Sequence, residues 1–242
     1  MLFFDISEDK ALSDKNYVSK NELANNVSAQ NQLNGNPNIS FERNEGGVKV
    51  LFVGNSITRH GYKPDIGWYG DWGMAASCKE KDYVHRTVAM LEEKLGKLDV
   101  CIAQGAIWER DYEDTTAVLN ETYAEARDFL ADVVIIRIGE NMPKGSAPDC
   151  KPQFAQMIRF FASNPKAKVI VTDSFWRNDA RDGIIKEIAE EEGYVFCQIH
   201  DLEEDEANMA IGLFEHRGVA KHPSDLGMER IAERISACVL DK

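Results

Sequence analysis

Acidic side chains outnumber basic ones in this chain of 242 residues: 41 Asp and Glu against 28 Lys and Arg give a formal net charge of −13 at pH 7. Nucleic acids and anionic membrane surfaces reward clustered Lys and Arg, so this balance argues against both as main partners. No apolar run reaches the roughly 18 residues of a membrane-spanning helix.

The five cysteines are odd in number and include no C-x-x-C pair. This pattern predicts neither a disulfide framework nor a zinc site, and it favours a reducing compartment. We therefore expect a cytoplasmic protein without metal or cofactor, although a leader removed from the chain would leave the same sequence. The sequence carries no signal for an oligomeric state.

Residues 1–47 differ in composition from the rest of the chain. Nine asparagines lie from Asn16 to Asn44, with few large apolar residues among them. Such a composition buries little surface and favours turns or extended chain. We expect 1–47 to form an arm or linker that packs through Phe41, and 48–242 to form a single α/β domain.

From residue 48 onward, short apolar runs alternate with segments of helical periodicity. The runs are rich in Val and Ile and lack in/out alternation, which is typical of a parallel sheet covered on both faces. We predict an α/β fold, a three-layer α/β/α sandwich of the flavodoxin-like type with about five parallel strands. The predicted strands are 50–53, 98–103, 133–138, 168–172 and 194–197, and the helical segments are 84–95, 119–130, 184–189 and 228–235.

Chemically distinctive residues follow the predicted strands. Ser56 comes just after the first strand, and His222 precedes the last helix. Loops after the carboxyl ends of parallel strands converge on one edge of a sheet. A serine within reach of a histidine at such an edge is the arrangement of a hydrolytic nucleophile and its base.

Three segments, in this order, resemble the blocks of the SGNH, or GDSL-like, hydrolase family. They are 54–58 (G-N-S-I-T), 139–141 (G-E-N) and His222-Pro223 followed by Gly227. The resemblance implies that Ser56 attacks an ester carbonyl and that His222 takes the serine proton and returns it to the leaving alcohol. It also implies that the Asn141 amide and the backbone N–H of Ser56 donate to the developing oxyanion.

The first two blocks depart from the family pattern. Asn55 replaces the aspartate of G-D-S, and a short polar side chain can still organise this turn. The second block aligns with 103–108 and places Trp108 where the family has a glycine whose N–H completes the oxyanion hole. Because the donor is a backbone N–H, Trp108 can supply it where its φ and ψ allow. Gly105 is the other candidate donor.

The third departure concerns the catalytic acid. The family has an aspartate three residues before the histidine, and here that position is Val219. His222 is then oriented by the backbone carbonyl of Val219. Alternatively, a carboxylate from Glu215 or Asp225 fills this role. We predict a Ser-His dyad.

The loop 67–77 between the first block and the next helix is rich in glycine and aromatic residues. Trp68 and Trp72 either stack on a sugar ring or a flat acyl group, or cap the core beneath the loop. Asn55 and Arg59, beside the nucleophile, are further candidates for substrate contacts. Arg59 either binds a substrate carboxylate or phosphate or is a solvated charge.

The expected partner is a small-molecule or glycan ester, since the resemblance extends to bacterial proteins of carbohydrate metabolism. A short-chain ester on a carbohydrate, O-acetyl above all, is the first substrate hypothesis. The alternatives are a broad lipase, thioesterase or acyltransferase of the same fold, and a binding domain with a decayed site. A flavodoxin-like nucleotide binder is disfavoured, because the first loop lacks the repeated Ser, Thr and Gly of a phosphate cradle.

Overall fold

A single mixed sheet organises the chain. The computed structural model describes residues 38–143, 145 and 149–241. The sheet order is β1-β3-β2-β4-β5-β6, in which β1 runs antiparallel to β3 and every other neighbouring pair is parallel. The strands are β1 (Ile39–Glu42), β2 (Val48–Gly54), β3 (Leu98–Gln104), β4 (Val133–Arg137), β5 (Lys168–Thr172) and β6 (Val195–Cys197).

Helices connect the parallel strands and cover both faces of the sheet. In the part of the chain that the structure describes they are α1 (Tyr83–Leu95), α2 (Ala106–Arg110), α3 (Thr115–Thr122), α4 (Ala124–Asp128), α5 (Lys151–Phe161), α6 (Asp179–Glu192), α7 (Arg217–Ala220) and α8 (Asp225–Leu240). Polar side chains mark where the longer ones begin. The Asp82 carboxylate accepts the N–H of His85 at the start of α1, and the Ser224 hydroxyl accepts the N–H of Gly227 at the start of α8.

Two apolar layers hold the sandwich together. Alternate residues of each strand point to opposite faces of the sheet, so Val50 and Phe52 belong to one layer, and Leu51 and Val53 belong to the other. Helices α1 and α8 pack beside each other on the first face, and residues of α2 to α6 cover the second. Burial on both sides explains why the strands read as continuous apolar runs.

The predicted three-layer α/β/α architecture is confirmed. The five parallel strands, taken alone, run in the flavodoxin-like order, with the chain reversing direction between β2 and β4. Ligands bind at such a switch point, outside the carboxyl ends of the strands. The segments after β2, β3 and β4 therefore meet where a site is expected.

The sixth strand is a difference from the prediction, because β1 lies within the segment assigned to the arm. It pairs with the edge of β3 from Ile39 to Glu42, and Phe41 packs against Phe129 at 5.9 Å between ring centroids. The sheet thus begins at residue 39, inside the predicted arm, rather than at the predicted first strand 50–53. Residues 1–37, the remainder of the predicted arm, lie outside the described residues.

An ionic cluster fastens β1 to the first helix. His85 on α1 contacts the Asp82 carboxylate at 2.7 Å and the Glu42 carboxylate of β1 at 3.0 Å, and Lys79 lies 2.5 Å from Glu42. Burial alone would lower the pKa of His85, but the two carboxylates raise it to about 9. The hydrogen bond from His85 lowers the pKa of Glu42 to about 2. At neutral pH His85 and Glu42 are therefore both charged.

Candidate active site

Ser56 sits at the tight turn that ends β2. The carbonyl of Asn55 accepts the N–H of Thr58 at 2.9 Å, and the carbonyl of Ser56 accepts the N–H of Met74 at 2.9 Å. A Cβ at Gly54 would collide with the Thr58 side chain and lie 2.6 Å from the carbonyl of Arg137. The first glycine of the block is therefore required for the close approach of this turn to β4.

His222 faces the serine from the segment between α7 and α8. Its Nε2 lies 2.8 Å from Ser56 Oγ, and its Nδ1 lies 2.7 Å from the carbonyl oxygen of Gly218. A carbonyl only accepts, so Nδ1 carries the ring proton and Nε2 is left to accept the hydroxyl proton. Gly227 supports this arrangement, because a Cβ there would collide with the carbonyl of Asn208 against which α8 starts.

The surroundings of His222 keep its ring neutral. Burial lowers the pKa of His222 to about 4, and the hydrogen bond to Gly218 only partly opposes this effect. The residue is 8% exposed, and the Trp176 ring packs edge-on against the imidazole at 5.0 Å between centroids. The imidazole is therefore available as a proton acceptor throughout the neutral range.

Ser56, His222 and Asn141 line one cleft of about 280 Å³. The backbone N–H of Ser56 makes no hydrogen bond within the described residues, which leaves it open to a ligand. The Asn141 side chain donates from Nδ2 to Glu109 at 2.7 Å. The other residues around the cleft are His60, Ile66, Met74, Gln104, Ala106, His216, Gly218 and Val219.

A buried polar network that the sequence did not predict lies behind Asn141. It consists of Glu109, Arg137, Glu140 and Asn55, with at most 3% side-chain exposure for the Arg137–Glu140 ion pair. Burial would raise the pKa of Glu140, but the Arg137 charge lowers it below its ordinary value. An arginine at the end of an otherwise apolar strand was the one available sign, since a fully buried charge needs a partner.

Asn55 belongs to this network rather than to the substrate-binding surface. The residue is fully buried, and its Nδ2 donates to Glu140 at 2.6 Å and to Glu109 at 3.1 Å. Its Oδ1 accepts from Arg137. An aspartate here would place a third carboxylate among two others and could not donate, which accounts for Asn in place of the aspartate of G-D-S.

Three further substrate-binding candidates have structural partners instead. Trp68 and Trp72 are 0% and 6% exposed and pack against each other at 5.8 Å, so they cap the core and do not line the cleft. The Arg59 guanidinium is paired with Asp71 through bonds of 2.9 and 2.8 Å. It is therefore ion-paired rather than a solvated charge, and its Nη1 is buried without a hydrogen-bond partner among the described residues.

Trp108 is buried on the second face of the sheet. Its indole N–H donates to Thr115 at 3.2 Å, and its ring packs edge-on against Phe154 at 5.0 Å. Ala106, two residues earlier, is the member of α2 that lines the cleft. Gly105, the other candidate, donates its N–H to the carbonyl of Gly54 at 2.6 Å. Neither candidate for the second backbone donor of the oxyanion hole therefore lines the cleft.

None of the three candidates predicted to orient His222 does so. The carbonyl of Val219 accepts the backbone N–H of His222, not the ring nitrogen. Glu215 is exposed, and Asp225 is bound to Ser77 and to Lys81, each at 2.8 Å or less. The carbonyl of Gly218 takes their place, one residue before the predicted position.

Within the described residues, three or more His, Cys, Asp or Glu side chains nowhere converge in an arrangement that could hold a metal ion. No described helix combines the length and the apolar character needed to cross a bilayer.

An α/β/α sandwich with a serine and a histidine at its switch point is the class of structure that these observations define. No family model matches the sequence, and no curated protein matches it. Solved structures do match. An acetylxylan esterase from Geobacillus stearothermophilus is 20% identical, with a TM-score of 0.51 over 81% of this chain and 95% of that one.

Two further structures agree. The acetyl xylan esterase AlAXEase is 16% identical, with a TM-score of 0.51 over 80% of this chain and 100% of that one. A Bacteroides uniformis protein described as a GDSL-like lipase is 14% identical, with a TM-score of 0.52 over 79% and 94%. The chain therefore has the fold of the SGNH, or GDSL-like, hydrolases.

Proposed function

We propose that the protein is a serine esterase that removes short acyl groups, with O-acetyl groups on carbohydrates as the first substrate class. The observation that carries this proposal is the 2.8 Å contact between Ser56 Oγ and His222 Nε2 inside a cleft that Asn141 also lines. Nucleophile, base and oxyanion donor are the groups that acyl transfer requires.

In the proposed reaction, Ser56 Oγ attacks the ester carbonyl carbon while His222 Nε2 accepts the hydroxyl proton. The carbonyl oxygen becomes an oxyanion, to which the Ser56 N–H and the Asn141 amide donate. The imidazolium then gives its proton to the leaving alcohol, and the C–O bond breaks to leave an acyl-serine. Water, deprotonated by His222, repeats the sequence and releases the acid.

Among the described residues no carboxylate bonds to His222 Nδ1, and this shapes the mechanism. The Gly218 carbonyl fixes the tautomer and the ring direction, but it contributes a dipole where a triad has a full charge. We therefore expect a lower rate than a complete triad would provide. This feature also favours the second candidate function, a binding domain of the same fold with little or no turnover.

The lining of the cleft supports a short acyl group on a polar alcohol. Ile66 and Met74 offer apolar surface beside Ser56, and His60, Gln104 and His216 offer hydrogen-bonding groups around the same opening. A volume of about 280 Å³ is at the small end for ligand sites. The matching structures named as acetylxylan esterases point in the same direction.

Acetate release from p-nitrophenyl acetate and from a panel of O-acetylated sugars tests the proposal. Ser56→Ala should abolish release. Ser163→Ala is the matched control, because this serine bonds to the carbonyl of Arg127 away from the cleft and its loss should leave turnover unchanged. Equal release by wild type and Ser56→Ala would exclude the esterase and favour the binding-domain function.

A further inference from the structure

Glu109 is a fully buried carboxylate to which the proposed reaction assigns no step. It lies on α2 and receives four N–H groups. Oε2 accepts from Asn141 Nδ2 at 2.7 Å. Oε1 accepts from the backbone N–H groups of Gly139 at 2.7 Å and Asn141 at 3.1 Å, and from Asn55 Nδ2 at 3.1 Å.

The four N–H donors around Glu109 require a side chain that only accepts hydrogen bonds. Four N–H groups converge on two oxygens, and an ionised carboxylate satisfies them all. A glutamine would present an NH₂ to one of these donors and leave a buried N–H unpaired. Burial and the nearby Glu140 charge raise the pKa of Glu109 above its ordinary value, and the hydrogen bonds from Asn141 and Asn55 oppose this rise only in part. Arg137 supplies the positive charge of the network.

The contacts of Glu109 connect the buried network to the cleft through Asn141. Glu109 holds both the backbone and the side chain of Asn141, whereas its own carboxylate is sealed from the cleft. An NH₂ group has two hydrogens, so one bond to Glu109 leaves the second N–H of Asn141 for a ligand. Asn141 and Ser56 face the same cleft, where the oxyanion would form.

We infer that Glu109 is a positioning residue for the oxyanion hole, which acts by fixing the rotamer and direction of the Asn141 amide before substrate arrives. The inference rests on the proposed esterase function. A preoriented donor needs no reorganisation as charge develops, and this is the source of its effect on rate. Loss of Glu109 should therefore lower kcat and leave KM nearly unchanged.

A double-mutant cycle on ester hydrolysis tests the inference. We expect Asn141→Ala to lower kcat about a hundredfold and Glu109→Gln to lower it about tenfold or more, with KM within about twofold. Because Glu109 acts through Asn141, the double variant should match Asn141→Ala alone. Thermal unfolding identifies the folded variants. If Glu109→Gln does not fold, Glu109→Asp, which keeps the charge but withdraws the carboxylate, replaces it in the cycle.

Glu140→Gln is the matched control. Glu140 belongs to the same network and its side chain is 3% exposed, but it contacts Asn55, Arg137 and the Phe175 N–H rather than Asn141. Whatever change in kcat this variant shows should persist in the Asn141→Ala background.

The outcomes separate the inference from the function on which it rests. Full activity in the Glu109 variant, or losses that add to that of Asn141→Ala, would overturn the positioning role and leave Ser56-dependent hydrolysis standing. A wild type without Ser56-dependent turnover would overturn the proposed function itself.

Discussion

The acid limb of the pH profile should lie unusually low for a histidine base. A pKa of about 4 for His222, against an ordinary 6.5, corresponds to about 3 kcal/mol in favour of the neutral ring. At pH 5.5 an ordinary imidazole is only about one-tenth neutral, whereas nearly all of His222 is neutral. Since the base acts in its neutral form, kcat/KM should hold its plateau to about pH 5 and fall through about pH 4.

The same shift acts on stability, and its pH dependence is opposite to that of a histidine in a stabilising ion pair. The unfolded chain binds the His222 proton near pH 6.5, but the folded chain resists it until about pH 4. Stability therefore falls as pH drops between these values, by up to about 3 kcal/mol. Circular dichroism at each pH must accompany the rates, so that loss of base function is read only from folded protein.

A variant that exposes the His222 imidazole to water tests whether burial causes the low pKa. Trp176 covers one edge of the His222 ring, so Trp176→Ala should admit water and move the acid limb upward towards pH 6.5. Phe160→Ala removes a comparable half-buried ring on α5, away from the cleft, and should leave the limb in place. An acid limb between pH 6 and 7 in the folded wild type, or an unmoved limb in Trp176→Ala, would refute this reasoning.

Two stability predictions follow from the buried and ionic clusters. Asn55→Asp should lower the free energy of unfolding by about 3 kcal/mol or more in urea titrations, because it places a third carboxylate beside two buried ones that already share the Arg137 charge, and it can donate to neither; unchanged stability would contradict the network. The pKa of His85 is raised, so its contribution is complete below about pH 6.5 and is lost as pH rises through about 9. His85→Ala should therefore be less stable than wild type at pH 6, and the two should converge above pH 9.

Much of the architecture was predictable from local pattern. Continuous Val and Ile runs separated by helical spacing leave few alternatives to a covered parallel sheet. The same rule predicts that Ser56, Asn141 and His222 approach one another, because strand ends share an edge, and the structure brings all three to one cleft. Strand β1 escaped prediction because its partner lies some 60 residues away and its composition favours turns.

The details of the site depend on tertiary contacts that residue types do not reveal. Every residue carries a carbonyl, so nothing in the sequence distinguishes Gly218 as the acceptor for His222. Glu109 resembles any surface glutamate until the fold encloses it among N–H donors. Trp68 and Trp72 fall in a loop without periodicity, where aromatic residues equally suit a binding surface or a core.

Strand β1 connects the beginning of the described chain to the lining of the cleft. The carbonyl of Asn38 accepts the N–H of Gln104, a residue that lines the cleft, and β1 covers the otherwise open hydrogen-bonding edge of β3. A fragment cut at residue 48, the boundary that composition suggests, would retain every proposed catalytic residue. It would nevertheless expose the unpaired edge of β3, through which sheets associate edge to edge. An assay of such a fragment would find no activity because the protein aggregates, not because a catalytic group is missing.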